Sequence, residues 1–83
     1  MKQHARNAKQ IGAIIRRERR KASLSQAQLG DKIGLRQATI SKLEAGEPAT
    51  QLRTLFDVLA ALGLEIIVDT RGGATVSDIE SVF

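Results

Sequence analysis

Isoleucines at positions 11, 14 and 15 recur at the intervals that place side chains on one side of an α-helix, while Arg16, Arg17, Arg19, Arg20 and Lys21 fill the other sides. The pattern predicts an amphipathic first helix over residues 7–22, with Ala22 returning to the apolar side. In Ser25-Gln26-Ala27-Gln28 a hydroxyl is followed three residues later by an amide, the spacing at which the two side chains cap each other's backbone. A second, short helix is expected there, with Leu29 and Ile33 inward. Gly34 ends it, because glycine enters the left-handed conformation without steric cost. A third helix is expected over residues 36–45, with Ile40 and Leu43 inward and Gly46 after it. Pro48 disfavours helical geometry in the residue before it, so Glu47-Pro48-Ala49 reads as a loop and Thr50 as the next cap. Leu52, Leu55, Phe56, Leu59 and Leu62 then predict a fourth helix with one apolar side, stopped at Gly63.

The segment after Gly63 changes character. Leu64-Glu65-Ile66-Ile67-Val68-Asp69-Thr70 is short and rich in β-branched residues, which reads as a strand. A lone strand in a helical chain leaves an unpaired apolar edge. Its simplest partner is the same strand of a second copy, giving a two-fold dimer through Leu64, Ile66, Ile67 and Val68. Curling back on its own helices would leave its backbone groups unpaired. Gly72 and Gly73 form a flexible joint. Beyond them an acidic tail carries Val76, Ile79, Val82 and Phe83, and is either a frayed end or a docking segment that orders on a partner. The expected architecture is all-α: a four- or five-helix bundle over residues 1–63, a dimerising β-strand over 64–71 and a tail over 72–83.

Charge sharpens this picture. The 83-residue chain has a net charge of +4, but residues 1–53 carry +8 and residues 54–83 carry −4. A basic half attracts a polyanion by counterion release, which makes nucleic acid the first candidate partner, against the plainer reading of a solvated basic face. With 42% apolar residues and two phenylalanines as the only aromatics, the core must be built from aliphatic side chains, a palette suited to helix on helix. The absence of cysteine removes disulfides, thiolate zinc sites and cysteine nucleophiles, and suits a reducing compartment. No apolar run approaches the roughly 18 residues of a membrane span, and no secretory leader is evident, so a cytoplasmic location is expected. His4 is the only histidine and no carboxylate pair or phosphate loop appears; no catalytic residue, metal ligand or cofactor is expected. The basic first helix could instead lie on a membrane surface, but it lacks the aromatic residues of interfacial anchors. A further alternative is an adaptor that docks a protein through the tail.

The second and third helices carry the most specific signal. Gly30 lies four residues before Gly34 and Ile40 six after it, with Leu29, Ile33 and Leu43 at the remaining inward positions. This is the spacing of a helix-turn-helix, which delivers side chains into the DNA major groove. Residues 24–45, LSQAQLGDKIGLRQATISKLEA, resemble the helix-turn-helix of phage-repressor-like (Cro/C1 or Xre) DNA-binding proteins, and the likeness extends over residues 11–64. The run IGLRQATISKLEAG, followed by a leucine-rich helix leading into a strand, resembles more narrowly the HipB-type antitoxins of HipA-like kinase toxins.

The resemblance implies a homodimeric repressor that binds a palindromic operator in double-stranded DNA and neutralises a HipA-like Ser/Thr kinase toxin. The alternative is a stand-alone phage-type repressor without a toxin. It places Arg36, Gln37, Ala38, Thr39, Ser41 and Lys42 on the recognition helix at the DNA, and matches Gln26 and Gln37 to two glutamines that cooperate at phosphate and base. Side-chain chemistry agrees. Gln37 can pair bidentately with adenine, Arg36 can reach guanine or phosphate, and Ala38 or the Thr39 methyl can meet a thymine methyl. Ser25, Gln26, Lys42, Arg53 and the arginines of the first helix suit phosphates. Three positions depart from the family pattern: Gly30 replaces alanine, Ser23 a glycine at the end of the first helix, and Arg36 a capping hydroxyl before the recognition helix.

Overall fold

The structure is a computed structural model that describes residues 2–71. The glycine joint and the tail expected over residues 72–83 lie outside the described residues. Four α-helices occur in order, α1 (Ala8–Lys21), α2 (Gln26–Ile33), α3 (Gln37–Glu44) and α4 (Leu52–Ala61), matching the expected all-α fold. None of them is long and apolar enough to cross a membrane.

The local signals act largely as the sequence pattern requires. Asn7 caps α1, its side-chain oxygen accepting the Gln10 N–H at 2.8 Å. At α2 both halves of the expected capping box form: the Gln28 N–H donates to Ser25 Oγ at 3.0 Å and the Ser25 N–H to Gln28 Oε1 at 2.8 Å. Gly34 adopts φ 70°, the left-handed turn that redirects the chain from α2 toward α3. Arg36 stands at the N-cap of α3 without a side-chain cap, as its departure from the family pattern implied. Thr50 is not the cap of α4: its hydroxyl donates to the Glu47 carbonyl at 2.9 Å, tying off the loop, and Gln51 takes the N-cap position.

Ser23 is the only non-glycine described residue with positive φ, at 58°. The Ser23 N–H donates to the Arg20 carbonyl at 3.0 Å and the Leu24 N–H to the Arg19 carbonyl at 3.2 Å, the paired bonds that close a helix through a left-handed residue. A side chain tolerates that conformation at a cost of about 1 kcal/mol.

The core joins all four helices through Ile15, Leu29, Ile40, Leu43, Leu55, Val58 and Leu59. The inward positions expected for α2 and α3 hold, with Leu29 and Ile40 wholly buried. Two expectations for α4 do not. Leu52 and Phe56 are 68% and 51% exposed, and fully buried Val58 takes their place. At about 100° per residue, Leu55, Val58, Leu59 and Leu62 cluster on one side, while Leu52 and Phe56 form a neighbouring stripe about 60–100° round the helix. Ala22 likewise lies at the surface, as the residue that ends α1.

Residues 64–70 form no ladder among the described residues. Leu64 also does other work than expected: its N–H donates to the Leu59 carbonyl at 2.8 Å, closing α4, and it packs against the core. Ile66, Ile67 and Val68 remain exposed.

Two glycines inside helices mark close approaches. A Cβ on Gly30 would collide with the Leu35 carbonyl, so it is the inter-helix turn, not the body of α3, that demands a small residue there. At Gly12 a Cβ would stand 2.5 Å from the carbonyl oxygens of both Leu43 and Glu44, so α1 rests directly on the end of α3. Alanine gains about 1 kcal/mol of helix preference over glycine, but overpacking against unyielding backbone costs about 1–3 kcal/mol. Gly12→Ala should therefore lower the melting temperature; an unchanged or raised value in a calorimetric scan would contradict this packing.

Candidate nucleic-acid interface

α3 buries Ile40, Leu43 and Glu44 and leaves Gln37, Ala38, Ser41 and Lys42 exposed. Residues 37, 38, 41 and 42 share one face of a helix, so four of the six expected recognition-helix residues form one surface. Thr39 is half-buried at its edge. Arg36 is exposed just ahead of α3, and Arg53 is exposed in the first turn of α4.

Ser25 and Gln26 begin α2. The Ser25 oxygen accepts the Gln28 N–H, which leaves its own proton to donate outward. Gln26 is half-buried, and its amide nitrogen donates to Glu44 Oε1 at 3.2 Å, with a second N–H left over.

That bond belongs to a cluster the sequence reading did not anticipate. Glu44 Oε2 accepts from Arg19 Nε at 2.6 Å and Oε1 from Arg19 Nη2 at 3.0 Å, a two-pronged ion pair with side chains only 9% and 3% exposed. Arg19 Nη1 donates to the Leu24 carbonyl at 2.7 Å. The hydrogen bonds to Glu44, reinforced by its charge, hold Arg19 above its already high ordinary pKa in spite of burial. Among the described residues no buried side-chain polar atom lacks a partner. A signal for the pair is present in the chain: Arg19 is four residues after Ile15 and Glu44 four after Ile40, so two opposite charges stand at inward positions.

Arg16 and Arg20 are exposed, and a cleft of about 430 Å³ is bordered by both of them, by Gln26 and Ser41, and by the Arg19–Glu44 pair. The start of α2 and the exposed face of α3 thus open onto one basic cleft. Hydrogen-bonding amides and hydroxyls beside cations suit a ligand with a negatively charged backbone and hydrogen-bonding edges.

Residues 15–68 match the helix-turn-helix family, and the chain belongs to it. Within it, this chain is similar to HipB. A HipB variant in complex with the O2 20mer is 31% identical and superposes with a TM-score of 0.79 over 86% of this chain and 99% of that one. HipB in the HipA-HipB-O2-O3 complex is 30% identical, with a TM-score of 0.78 over 84% and 99%. HipB in an O1-O2 complex is 30% identical, with a TM-score of 0.77 over 83% and 100%. No curated protein sequence matches the chain.

Removing one partner of a buried pair strands the other charge, at a cost of about 3–5 kcal/mol, whereas an apolar pair of similar volume is often neutral. Glu44→Leu is expected to be severely destabilised in urea titrations, and Arg19→Met/Glu44→Leu to regain most of the loss. A double variant no more stable than the single one would show that the cluster's value lies in its bonds to Leu24 and Gln26.

Proposed function

We propose that this protein is a sequence-specific DNA-binding repressor that acts as a homodimer on a palindromic operator. We further propose that it is the HipB-like antitoxin of a type II toxin–antitoxin pair, neutralising a HipA-like Ser/Thr kinase toxin. The observation that carries the reading is the exposed face of Gln37, Ala38, Ser41 and Lys42 on a chain that superposes over most of its length on HipB in its O2 and HipA-HipB-O2-O3 complexes.

In this reading α3 enters the major groove, with Gln37 reading adenine bidentately and Ala38, with the exposed part of Thr39, meeting thymine methyls. Arg36 reaches guanine or phosphate. Ser25 and Gln26 donate their spare protons to phosphate, while Ser41, Lys42 and Arg53 add contacts that set register without reading sequence. No catalytic role is assigned to any residue.

Dimerisation is supported by apolar surface. Leu52, Phe56, Ile66, Ile67 and Val68 are all at least 46% exposed, and the segment holding the last three makes no strand pairing among the described residues. Pairing residues 65–70 with the same segment of a second copy satisfies that backbone and covers the side chains. Two α3 helices then face half-sites about 34 Å apart, or a multiple of that distance.

A pull-down from the native cell extract, using the full chain and a copy ending at Gly73, tests both partners. The expected result is a kinase retained by the full chain and operator DNA retained by both. DNA with no protein partner would leave a stand-alone repressor, and no DNA would remove the reading. The triple variant Ile66→Ser/Ile67→Ser/Val68→Ser, which spares Leu64 and the end of α4, should sediment as a monomer with much weaker DNA binding. A persistent dimer would place the interface elsewhere.

A further inference from the structure

Ser23 holds φ 58°, the left-handed backbone that favours glycine, and its side chain makes no hydrogen bond among the described residues. Glycine would occupy this turn without steric cost. A serine kept in a strained conformation, with no local bond to offset the strain, points to a use for its hydroxyl. That hydroxyl stands exposed in the connection between α1 and α2.

The residues before it are equally specific. Arg20 and Lys21 lie three and two positions ahead of Ser23, and both are exposed. No other described hydroxyl combines these features. Ser25 is engaged as the cap of α2. Thr39, Thr50, Thr54 and Thr70 are half-buried, and Ser41 has Ala38 and Thr39 at the corresponding upstream positions.

We propose that Ser23 is a phosphorylation site for a Ser/Thr protein kinase with an acidic substrate groove, and that its phosphate weakens DNA binding. Only the second half rests on the DNA-binding reading above. Cations at fixed positions ahead of the acceptor are recognised by complementary charge, the pattern by which kinases discriminate among substrates. Ser23 Oγ attacks the γ-phosphorus of ATP and the bond from that phosphorus to the β–γ bridging oxygen breaks. ADP leaves, and the hydroxyl proton passes to the kinase's base. Access requires only the last turn of α1 to open, and helix ends open most readily.

A phosphoserine carries a charge of about −1.5 to −2. The Ser23 N–H donates to the Arg20 carbonyl at 3.0 Å, which sets these residues one turn apart. Arg20 has no carboxylate partner among the described residues, so it is the counter-ion nearest in sequence that stands free. It also borders the cleft that holds Gln26 and Ser41. Phosphorylation therefore neutralises a cation at the edge of that cleft and adds repulsion toward a polyanion. The fold accommodates the charge. It precedes the N-terminus of α2, where the helix dipole favours an anion, and the basic last turn of α1 offsets that helix's unfavourable end.

The test incubates the full chain and Ser23→Gly with ATP labelled in its γ-phosphoryl group and an extract of the cells that make the protein. The label is then mapped by mass spectrometry. Glycine suits the left-handed backbone, and a thermal melt confirms that the variant folds. Label on Ser23 of the full chain, and none at that position in the variant, is expected. No label on the full chain, or label at other residues only, overturns the proposal. Weaker DNA binding by Ser23→Gly in that case assigns the hydroxyl to the duplex backbone instead. The purified phosphoprotein and the unmodified chain are also compared on a random-sequence duplex over a range of salt. Phosphorylation should flatten the plot of log affinity against log salt by about 0.9 per protomer, the loss of one contact to a DNA phosphate. Unchanged affinity and slope overturn the regulatory half. An unmodified chain that binds no duplex overturns the DNA-binding reading itself, and the regulatory half with it, whatever the label shows.

Discussion

Where α1, α2 and α3 meet, a guanidinium and a carboxylate sit almost entirely out of water. Removing two ions from water costs several kcal/mol each, and only near-complete pairing offsets it. Arg19 and Glu44 achieve this with two bonds to each other, one to the Leu24 carbonyl and one from the Gln26 amide. The partners come from the end of α1, the connection to α2, the first residue of α2 and the last residue of α3. One charge cluster therefore sets how the start of α2 stands relative to α3. These are the two stretches that the DNA-binding reading brings to the phosphates and the base edges. The requirement extends to Gly12, since α1 can place Arg19 there only by lying directly on the carbonyls of Leu43 and Glu44.

The most legible part of the chain was the part governed by local rules. Ser25 and Gln28 announce their reciprocal caps by spacing alone, Gly34 announces the turn, and Leu29, Ile33, Ile40 and Leu43 announce the faces that turn inward. What escaped depends on neighbours remote in sequence. Periodicity reveals that α4 has an apolar side but not how wide it is, so it points Leu52 and Phe56 at a core that Leu55, Val58 and Leu59 form and that Ala61 and Leu62 pack against. Arg19 is one of five cations over residues 16–21, a stretch whose charge reads as solvent-facing throughout. The β-branched run after Gly63 states a preference for pairing, yet the described residues offer it no partner strand. Its first residue was claimed by the end of α4.

Apolar and cationic surfaces are segregated along the chain. The first three helices bear most of the cations, whereas the large exposed apolar side chains belong to α4 and the segment after it, where Arg53 and Arg71 are the only cations over residues 52–71. A polyanion and an apolar partner make incompatible demands on one patch, because desolvating lysines and arginines to bury leucine beside them is costly. Separation lets each surface be occupied without weakening the other. It also explains why the net charge of +4 says less about the molecule than the opposite signs of its two halves.

The exposed face of α3 has a consequence for how such a protein can diverge. Gln37, Ala38, Ser41 and Lys42 lie outside the core cluster, and α3 is anchored instead by Ile40, Leu43 and Glu44. Substitution at exposed helix positions changes stability by only a few tenths of a kcal/mol. The face is therefore a replaceable insert on a fixed mount: on the DNA-binding reading proposed above, duplicated copies of the gene can rewrite these four positions and acquire new targets while the scaffold stays intact.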